Sequence, residues 1–392
     1  MKKILTLNNI AVEGLRRLPR DRYEVASEIT HPEAILLRSY KMHDMEIPET
    51  VMAVGRAGAG VNNIPVDRLT AAGVPVFNAP GANANAVKEL VLAGMLMAAR
   101  NIPPALKFVE GLDGPDEAIS KAVESGKKDY SGFELPGRTL GIIGLGAIGV
   151  QVANAAHDLG MKVVGYDPQM TVERAWELSS GVVKASGIDQ LFQMSDVISV
   201  HVPLFDATRN IVNAERIAAL PPHGIIVNLA RGGIVDEAAV LAAIDSGKLG
   251  HYVADFPNGS LINRRGVIAL PHLGASTAEA EQNCAVMVVD NVREYLENGN
   301  ISKSVNFPDA IMPRLDSCRL SISNRNVPNM VGQISTILAD AGLNIADLLN
   351  KSRGDVAYTL IDVDGAVADD VLSALRAIEG VLRVRSLGCP AD

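Results

Sequence analysis

Short apolar runs alternate with helix-like stretches over the first hundred residues. Four runs have the length of buried strands: Ile4–Leu7, Ala34–Arg38, Val51–Gly55 and Val74–Asn78. A helix-like stretch, Pro65–Ala72, lies between two of them, and Asn83–Arg100 has the composition of one long helix. This alternation is typical of βα units around a parallel sheet. The pattern therefore predicts an α/β fold for this part of the chain.

A second series of apolar runs begins near residue 139. It predicts six strands, at Leu140–Ile143, Met161–Tyr166, Val197–Val200, Gly224–Leu229, His251–Asp255 and Val267–Ala269. Helical segments such as Glu237–Asp245 separate them, which favours a doubly wound parallel sheet. Farther on, Cys284, Val288, Val292 and Leu296 recur every four residues and predict the buried face of a long helix.

The pattern restarts after a linker at 302–317 that contains Pro308 and Pro313. The elements that it predicts are the strand Arg319–Ser323, the helix Met330–Ala341, the strands Leu343–Lys351 and Val356–Asp362, the helix Ala368–Ile378 and the strand Val381–Leu387. This βαββαβ order is that of a small ferredoxin-like domain.

Composition and charge narrow the choice of partners. The 392 residues are 48% apolar, which is enough for two or three cores. The net charge of −9 argues against nucleic acid or an anionic membrane as a partner, and no run of 18 apolar residues predicts a membrane span. The three cysteines, Cys284, Cys318 and Cys389, have neither a metal-site spacing nor a disulfide framework, so we expect no metal and a reducing cytoplasm.

One segment, "TLGIIGLGAIGVQVANAAHDLGMKVVGYDP", has the features of a dinucleotide site. Gly144, Gly146 and Gly149 form G-x-G-x-x-G between a predicted strand and helix, and Asp167 follows the next strand. Such glycines allow a tight turn, a close approach to pyrophosphate and close helix packing. A carboxylate at that place accepts from ribose hydroxyls and repels a 2′-phosphate, which favours NAD over NADP. The alternative is that the glycines serve packing alone.

Several further motifs occur together. The segments "GRTLGIIGLGAIG", "DVISVHVPL", "IIVNLARGGIVDEAAV" and "ALPHLGAST" resemble the D-isomer-specific 2-hydroxyacid dehydrogenases. The segments "VGRAGAGVNNIPVD" and "VFNAPGANANAVKEL" resemble the phosphoglycerate dehydrogenase branch of that family, and the C-terminal βαββαβ unit with "AGLNIAD" resembles an ACT regulatory domain.

The resemblance implies three domains. A discontinuous, flavodoxin-like substrate-binding domain would comprise 1–96 and 280–310, a Rossmann-type NAD-binding domain 97–279, and an ACT domain 318–392. The active site would lie in the cleft between the first two. The implied activity is NAD-dependent oxidation of 3-phospho-D-glycerate to 3-phosphohydroxypyruvate, the first step of phosphorylated L-serine biosynthesis. A homodimer or homotetramer and an amino-acid effector are also implied.

Two residues have the chemistry for hydride transfer at a 2-hydroxy acid. The guanidinium of Arg231, in "LARGG", can hold the carboxylate through two hydrogen bonds and polarise the C2 oxygen. The imidazole of His272, in "PHLGAS", can take the hydroxyl proton near neutral pH. The alternatives are a surface ion pair of Arg231 with Asp236 or Glu237 and a purely structural histidine.

The resemblance implies roles for further residues. The cofactor-binding positions are Gly144, Gly146, Ala147, Ile148, Gly149, Asp167, His201, Val202, Pro203, Thr208, Ala230, Asp255 and Gly274. The substrate-binding positions are Arg38, Ser39, Arg56, Gly58, Ala59 and Asn83; the arginines would bind the phosphate, and the N–H groups of Gly58 and Gly60 the carboxylate. The regulatory positions are Asn324, Asn326 and Asn344, although "SISNRNVPN" replaces the usual His-containing, Pro-Gly loop.

The chain departs from the family at one place. Most members have a Glu that orients the catalytic imidazole, and the matching position here is Gly259. Either His272 works unassisted, or another carboxylate, with Asp255 as first suspect, replaces the Glu, or activity is reduced or absent. Two other functions therefore stay open: a dehydrogenase for another D-2-hydroxy acid such as glycerate or lactate, and an NAD-sensing, non-catalytic homologue.

Overall fold

The computed structural model describes residues 1–389 and divides the chain into two compact units. One unit comprises Met1–Asn83 together with the chain from Ala278 onward, and the other is Ala84–Thr277. The α/β fold class predicted from the sequence is confirmed by two parallel sheets and one antiparallel sheet.

The first segment builds a five-stranded parallel sheet in the order β2-β1-β3-β4-β5. Its elements are β1 (Lys2–Leu7), α1 (Val12–Leu15), β2 (Tyr23–Ala26), β3 (Ala34–Leu37), β4 (Ala53–Arg56), α2 (Val66–Ala71) and β5 (Val76–Phe77). All four strands predicted in this segment are confirmed. Strand β2, "YEVA", was missed because Glu24 interrupts its apolar pattern.

The second unit builds a seven-stranded parallel sheet in the order β12-β11-β10-β9-β6-β7-β8. Its elements are α3 (Ala84–Ala99), α4 (Ile102–Glu110), α5 (Asp116–Gly126), β6 (Thr139–Ile143), α6 (Ala147–Asp158), β7 (Lys162–Tyr166), α7 (Val172–Glu177), β8 (Val183–Lys184), α8 (Ile188–Met194), β9 (Val197–Val200), α9 (Ala214–Ala219), β10 (Gly224–Asn228), α10 (Glu237–Asp245), β11 (Leu249–Ala254) and β12 (Val267–Ala269). Two apolar clusters pack beside the sheet. All six strands predicted here are confirmed.

The last segment contains α11 (Ala278–Asn298), β13 (Cys318–Arg325), α12 (Met330–Asp340), β14 (Ile345–Arg353), β15 (Val356–Val363), α13 (Asp369–Ala377) and β16 (Val381–Ser386). The predicted βαββαβ unit is confirmed as a sheet in the order β14-β15-β13-β16. The predicted face of α11 is also confirmed, since Cys284, Val288, Val292 and Leu296 are all buried.

The C-terminal sheet shares a core with the first segment. Tyr358 and Leu360 of β15 belong to the same apolar cluster as Phe77, Tyr295 and Phe307. The hydroxyl of Tyr358 donates to the carbonyl of Gly299 at 2.6 Å. The C-terminal domain is therefore packed into its unit by one face of its sheet.

A buried ion pair also stabilises the contact of the C-terminal domain with the rest of its unit. The Arg319 guanidinium bonds both carboxylate oxygens of Asp362, at 2.6 and 2.7 Å, and both side chains are fully buried. Arg319 also donates to the carbonyls of Asn298, Met312 and Pro313. The first strand of the C-terminal domain is thus bonded to the end of α11 and to the linker.

The expectation of unpaired cysteines is wrong for two of the three. Cys318 and Cys389 form a disulfide across 71 residues of sequence, whereas Cys284 is free and buried. The cause is topological, because β13 begins where β16 ends: the N–H of Arg319 donates to the carbonyl of Gly388. The cytoplasmic location loses the support of unpaired cysteines and stays a prediction.

No helix among residues 1–389 is long and apolar enough to cross a membrane. The same part of the chain contains no cluster of His, Cys, Asp or Glu that could hold a metal ion.

Candidate functional site

The predicted cofactor and catalytic residues of the second unit gather along one edge of its sheet. Gly144 follows β6, Asp167 follows β7 and His201 follows β9. Beyond β10, β11 and β12 come Arg231, Asp255 and His272. Because all these strands are parallel, their carboxyl ends meet at the same edge, which is where open α/β sheets bind ligands.

The glycine loop has the shape that a dinucleotide requires. A Cβ on Gly149 would lie 2.0 Å from the carbonyl oxygen of Gly144, so only glycine lets α6 begin this close to β6. Gly144 has a φ of 91° and packs against His201 and Val202. A Cβ on Gly146 would instead meet nothing within 4 Å. The space beside Gly146 and the N-terminus of α6 at Ala147 and Ile148 therefore fit a pyrophosphate.

The carboxylate of Asp167 lies against this loop. One oxygen accepts from the N–H of Leu145 and the other from the N–H of Gln169, both at 2.8 Å. These bonds fix the carboxylate at the end of β7. Each oxygen keeps a second lone pair with which it can accept from a ribose hydroxyl.

The segment after β9 carries four of the predicted cofactor positions, His201, Val202, Pro203 and Thr208. His201 is half-buried, with its Nε2 atom 2.8 Å from Ser199 Oγ, and removal from water lowers its pKa to about 4. Its imidazole is therefore neutral near pH 7. The hydroxyl of Thr208 donates to the carbonyl of Pro203 at 2.6 Å and accepts from the N–H of Phe205, so it closes this loop on itself.

Arg231 is exposed at the end of the β10 segment. Its guanidinium donates to the carbonyl of Ala230, and the side chain of Asn228 holds its backbone carbonyl at 2.8 Å. The alternative ion pairs are not formed: Asp236 caps α10 through the N–H of Ala239, and Glu237 bonds Asn258. No carboxylate within the described residues neutralises Arg231, which leaves its fork available to an anion.

An aromatic ring connects the two predicted catalytic residues. The ring of Phe256 packs against the imidazole of His272 at an angle of 49°, with centroids 4.7 Å apart, and the guanidinium of Arg231 lies 5.9 Å from the same ring. Sequence reasoning missed Phe256. Its only sequence signal is its place directly after Asp255.

The loop that carries His272 is held by Asp255. His272 has a φ of 57°, which is uncommon for a residue with a Cβ and persists where neighbouring contacts enforce it. The two oxygens of the buried Asp255 carboxylate accept from the N–H groups of Leu273 and Gly274, at 2.7 and 2.8 Å. Asp255 therefore fixes the backbone beside His272, and it makes no bond to the imidazole.

The space around Gly259, the position that matches the family's Glu, is unoccupied by other atoms. A Cβ on Gly259 would meet nothing within 4 Å. Among the described residues, no carboxylate bonds the imidazole of His272. The imidazole packs instead against the ring of Phe256.

The predicted substrate residues of the other unit lie at the ends of two adjacent strands. Arg38 follows β3 and Arg56 ends β4, with Leu37 opposite Arg56 in the parallel register. The Nε of Arg56 donates to the carbonyl of Arg38 at 3.0 Å. Arg38 also forms an ion pair with Glu281 of α11 at 2.7 Å, a residue that sequence reasoning missed.

The other predicted substrate-binding residues near these arginines differ in their contacts. The N–H of Gly58 donates to the carbonyl of Arg56 at 2.8 Å, so it is bonded within the chain, and its contact with a substrate carboxylate stays a prediction. Gly58 also leaves room for the Arg56 guanidinium, which a Cβ would approach to 2.7 Å. The carbonyl of Ala59 accepts from Asn78, Ser39 is exposed, and the buried side-chain oxygen of Asn83 has no partner among the described residues.

The predicted regulatory residues do not meet within one chain. Asn324 lies opposite Ala357, at the start of β15, and Asn326 bonds the carbonyl of Gly354. Asn344 bonds Asp364, just past the other end of β15. Since a strand rises about 3.3 Å per residue, the two groups lie roughly 20 Å apart.

Comparisons with known proteins decide the family. Residues 92–274 match the model of the D-isomer specific 2-hydroxyacid dehydrogenase, NAD binding domain. A D-3-phosphoglycerate dehydrogenase of Haemophilus influenzae is 33% identical over 385 residues, which covers 95% of this chain and 90% of that protein. This chain belongs to the D-isomer specific 2-hydroxyacid dehydrogenase family. It is an NAD-dependent oxidoreductase, and its cofactor is NAD.

Other relatives agree. The Escherichia coli D-3-phosphoglycerate dehydrogenase is 33% identical over 354 residues, covering 86% of this chain and 82% of that one. The NAD⁺-bound 3-phosphoglycerate dehydrogenase of Entamoeba histolytica superposes with a TM-score of 0.59 at 26% identity, over 78% of this chain and 98% of that one. The holo D-mandelate dehydrogenase of Rhodotorula graminis reaches 0.68 at 25% identity, over 79% and 99%.

Proposed function

We propose that the chain oxidises 3-phospho-D-glycerate to 3-phosphohydroxypyruvate with NAD, the first step of phosphorylated L-serine biosynthesis. The names of its relatives support this substrate. The observation that carries the proposal is the pair Arg38 and Arg56 on adjacent strand ends, because an acidic chain needs local cations to bind a phosphate. The same chemistry run in reverse reduces the keto acid.

Arg231 and His272 are the proposed catalytic residues. Arg231 holds the substrate carboxylate and polarises the C2 oxygen. His272 takes the proton of the C2 hydroxyl at its imidazole as the C2 hydride leaves. Bound NAD supplies the hydride acceptor. Asp255 holds the backbone on one side of His272, and Phe256 limits the rotation of its ring.

The other assignments are part of the same proposal. The cofactor shell is proposed to comprise Gly144, Gly146, Ala147, Ile148, Gly149, Asp167, His201, Val202, Pro203, Thr208, Ala230, Asp255 and Gly274. The substrate shell adds Ser39, Gly58, Ala59 and Asn83 to the arginines. The division into substrate-binding, NAD-binding and ACT domains also remains a proposal; the two compact units divide between Asn83 and Ala84 rather than between residues 96 and 97. The homo-oligomer, the amino-acid effector and the cytoplasmic location also remain proposals.

Reduction assays with NADH test the substrate. We expect a far higher kcat/KM with 3-phosphohydroxypyruvate than with unphosphorylated hydroxypyruvate. Arg56→Gln should raise KM for the phosphorylated substrate about tenfold or more, since a lost charge-assisted hydrogen bond costs about 1.5–3 kcal/mol. The control Arg16→Gln removes one exposed positive charge outside the proposed site. Equal use of both keto acids would refute the phosphate assignment and favour another D-2-hydroxy acid.

A second candidate, an NAD-sensing homologue without catalysis, rests on one observation. The imidazole of His272 has no carboxylate partner among the described residues, and position 259 is glycine. The variant Gly259→Glu restores the acid in open space. If the unmodified protein binds NADH but reduces neither keto acid, and the variant is active, then the second candidate is correct.

A further inference from the structure

A charged cleft lies within the first unit, between its parallel sheet and the C-terminal domain. It has a volume of about 720 Å³ and is bordered by the start of β1, the end of α11, α13 and β16. A second cleft of about 600 Å³ adjoins it and shares Glu33 and Arg385. None of the residues proposed for catalysis or for substrate binding lines either cleft.

The larger cleft is strongly positive in a chain that is acidic overall. Its cations are Lys2, Arg22, Arg314, Arg376 and Arg385, whereas its carboxylates are Glu33 and Glu297. The chain as a whole carries −9. The excess of positive charge in this cleft therefore arises because the fold brings these side chains together. Such a local excess attracts anions.

Helix capping accounts for part of this charge. Lys2 and Arg385 donate to the carbonyl of Leu296, and Arg385 also donates to that of Tyr295, near the end of α11. A helix C-terminus carries about half a negative charge. Together with the two carboxylates, this leaves an excess of more than two positive charges.

The cations are also poorly neutralised. Lys2, Arg314 and Arg385 bond backbone carbonyls and have no ion-pair partner among the described residues. Burial lowers the pKa of the Lys2 amine; the charges of Glu33 and Glu297 partly offset this, and the nearby Arg385 adds to it. Glu297 is already engaged by Arg22 and by the hydroxyl of Tyr23. A bound anion would relieve the repulsion between Lys2 and Arg385.

The deepest cation is held in place. Arg385 is only 8% exposed, and its guanidinium lies 4.3 Å from the ring centroid of Tyr295. Its two bonds to carbonyls leave three of its five N–H groups without a partner among the described residues. A fixed guanidinium with spare donors suits the planar or tetrahedral oxygens of a carboxylate or phosphate.

We propose that this cleft binds a small oxyanion with two or more charges, such as a phosphate group or a polycarboxylate. The anion would bridge Lys2 and Arg22 of the first segment to Arg376 and Arg385 of the C-terminal domain. Its binding would therefore strengthen the docking of that domain. The inference is independent of the proposed substrate.

Titration calorimetry on the full chain tests the proposal, with inorganic phosphate and citrate as separate probes. We expect binding to persist in Arg38→Gln/Arg56→Gln, which removes the proposed substrate cations. It should weaken about tenfold or more in Arg22→Gln/Arg376→Gln, where both altered side chains are exposed. Arg16→Gln is the matched control for loss of surface charge.

Thermal unfolding supplies a second readout. Either anion should raise the melting temperature of the unmodified protein, and this rise should shrink in Arg22→Gln/Arg376→Gln alone among the variants. Binding of both anions that is lost in Arg38→Gln/Arg56→Gln and unchanged in the cleft variant would overturn the proposal. So would the absence of binding of either anion at millimolar concentration. Binding of only one of the two would support it and identify the class.

Discussion

Phe256 is the residue whose contacts bear most directly on catalysis without a supporting Glu. Its ring packs at a tilt against His272 and lies near Arg231, so one aromatic side chain constrains both proposed catalytic groups. Aromatic ring pairs contribute about 0.5–1.5 kcal/mol beyond their buried area. In the proposed mechanism, packing therefore supplies part of the orientation of the imidazole that a hydrogen bond to a carboxylate would supply.

Replacing this ring tests its role. Phe256→Leu should lower kcat up to about tenfold, because 1.4 kcal/mol of lost orientation corresponds to a factor of ten. KM for NADH should change little. Phe256→Tyr keeps the ring and should stay near the unmodified rate. Steady-state kinetics of all three proteins decide the matter: an unimpaired Leu variant would mean that the ring has no positioning role.

Glu281 contacts Arg38, one of the two arginines proposed to bind the substrate phosphate. Its carboxylate pairs with Arg38 at 2.7 Å, with both side chains partly exposed. In the proposed function, the substrate phosphate shares the Arg38 guanidinium with Glu281. Glu281→Gln should therefore lower KM for the phosphorylated keto acid, up to about fivefold, since exposed pairs contribute about 0–1 kcal/mol.

The matched control for this change is Glu279→Gln. It removes the same charge two residues away on the same helix, at an exposed position. If both variants alter KM equally, the effect is one of general charge and not of the pair with Arg38. If neither alters it, Arg38 does not contact the phosphate.

Two glycines of the loop between β6 and α6 have different roles, one in folding and the other in cofactor binding. Gly149 is required by packing, since a Cβ there would lie 2.0 Å from a carbonyl oxygen, whereas a Cβ on Gly146 would meet open space. Gly149→Ala should lower the melting temperature and weaken NADH binding. Gly146→Ala should leave the melting temperature nearly unchanged and still weaken NADH binding, about tenfold or more, because its methyl group occupies the approach of the pyrophosphate.

Fluorescence titration of NADH and thermal unfolding measure the two effects. The comparison is internal, because both variants add one methyl group to the same loop. Unimpaired NADH binding by a well-folded Gly146→Ala protein would show that the pyrophosphate does not pass this glycine.

Elements with a regular apolar pattern could be predicted from the sequence, and others could not. The strands at Val197–Val200 and Val267–Ala269 and the helix Glu237–Asp245 have the predicted bounds. Helices α4 and α5 were not predicted, because they lie in a stretch rich in proline, glycine and charge and none of their residues is buried.

The same limit applies to the site. Gly144, Asp167, Arg231 and His272 stand in local motifs, which is why they could be named. The ion pair of Glu281 with Arg38 joins residues more than two hundred positions apart and leaves no local signal. The disulfide of Cys318 was missed for the same reason, since only the sheet topology brings β13 beside the end of β16.

The half-buried His201 predicts that the whole molecule loses stability in acid. The pKa of His201 is lowered to about 4 by burial, against about 6.5 in an unfolded chain. Between these values the unfolded state binds the additional proton. Stability is therefore lost as pH falls from about 6.5 to 4, by at most about 3 kcal/mol from this group.

Chemical denaturation at pH 7 and pH 5 measures this loss. His201→Gln should reduce the difference in free energy of unfolding between the two pH values. His31→Gln is the control, since His31 is exposed. An identical difference in the unmodified protein and in His201→Gln would mean that other groups cause the acid sensitivity. The half-buried His251, whose pKa is also lowered by partial removal from water, is the next to test.

The shared core under the C-terminal sheet has a consequence for modularity. A gene shortened before Cys318 would uncover Phe77, Tyr295 and Phe307, and the carbonyls of Asn298 and Met312 would lose the donors that Arg319 supplies. The C-terminal domain therefore cannot be exchanged for another domain without disturbing the core that it shares with its unit. Grafting a different domain onto this enzyme would require a matching face for that core, and a fusion at the linker alone would not suffice.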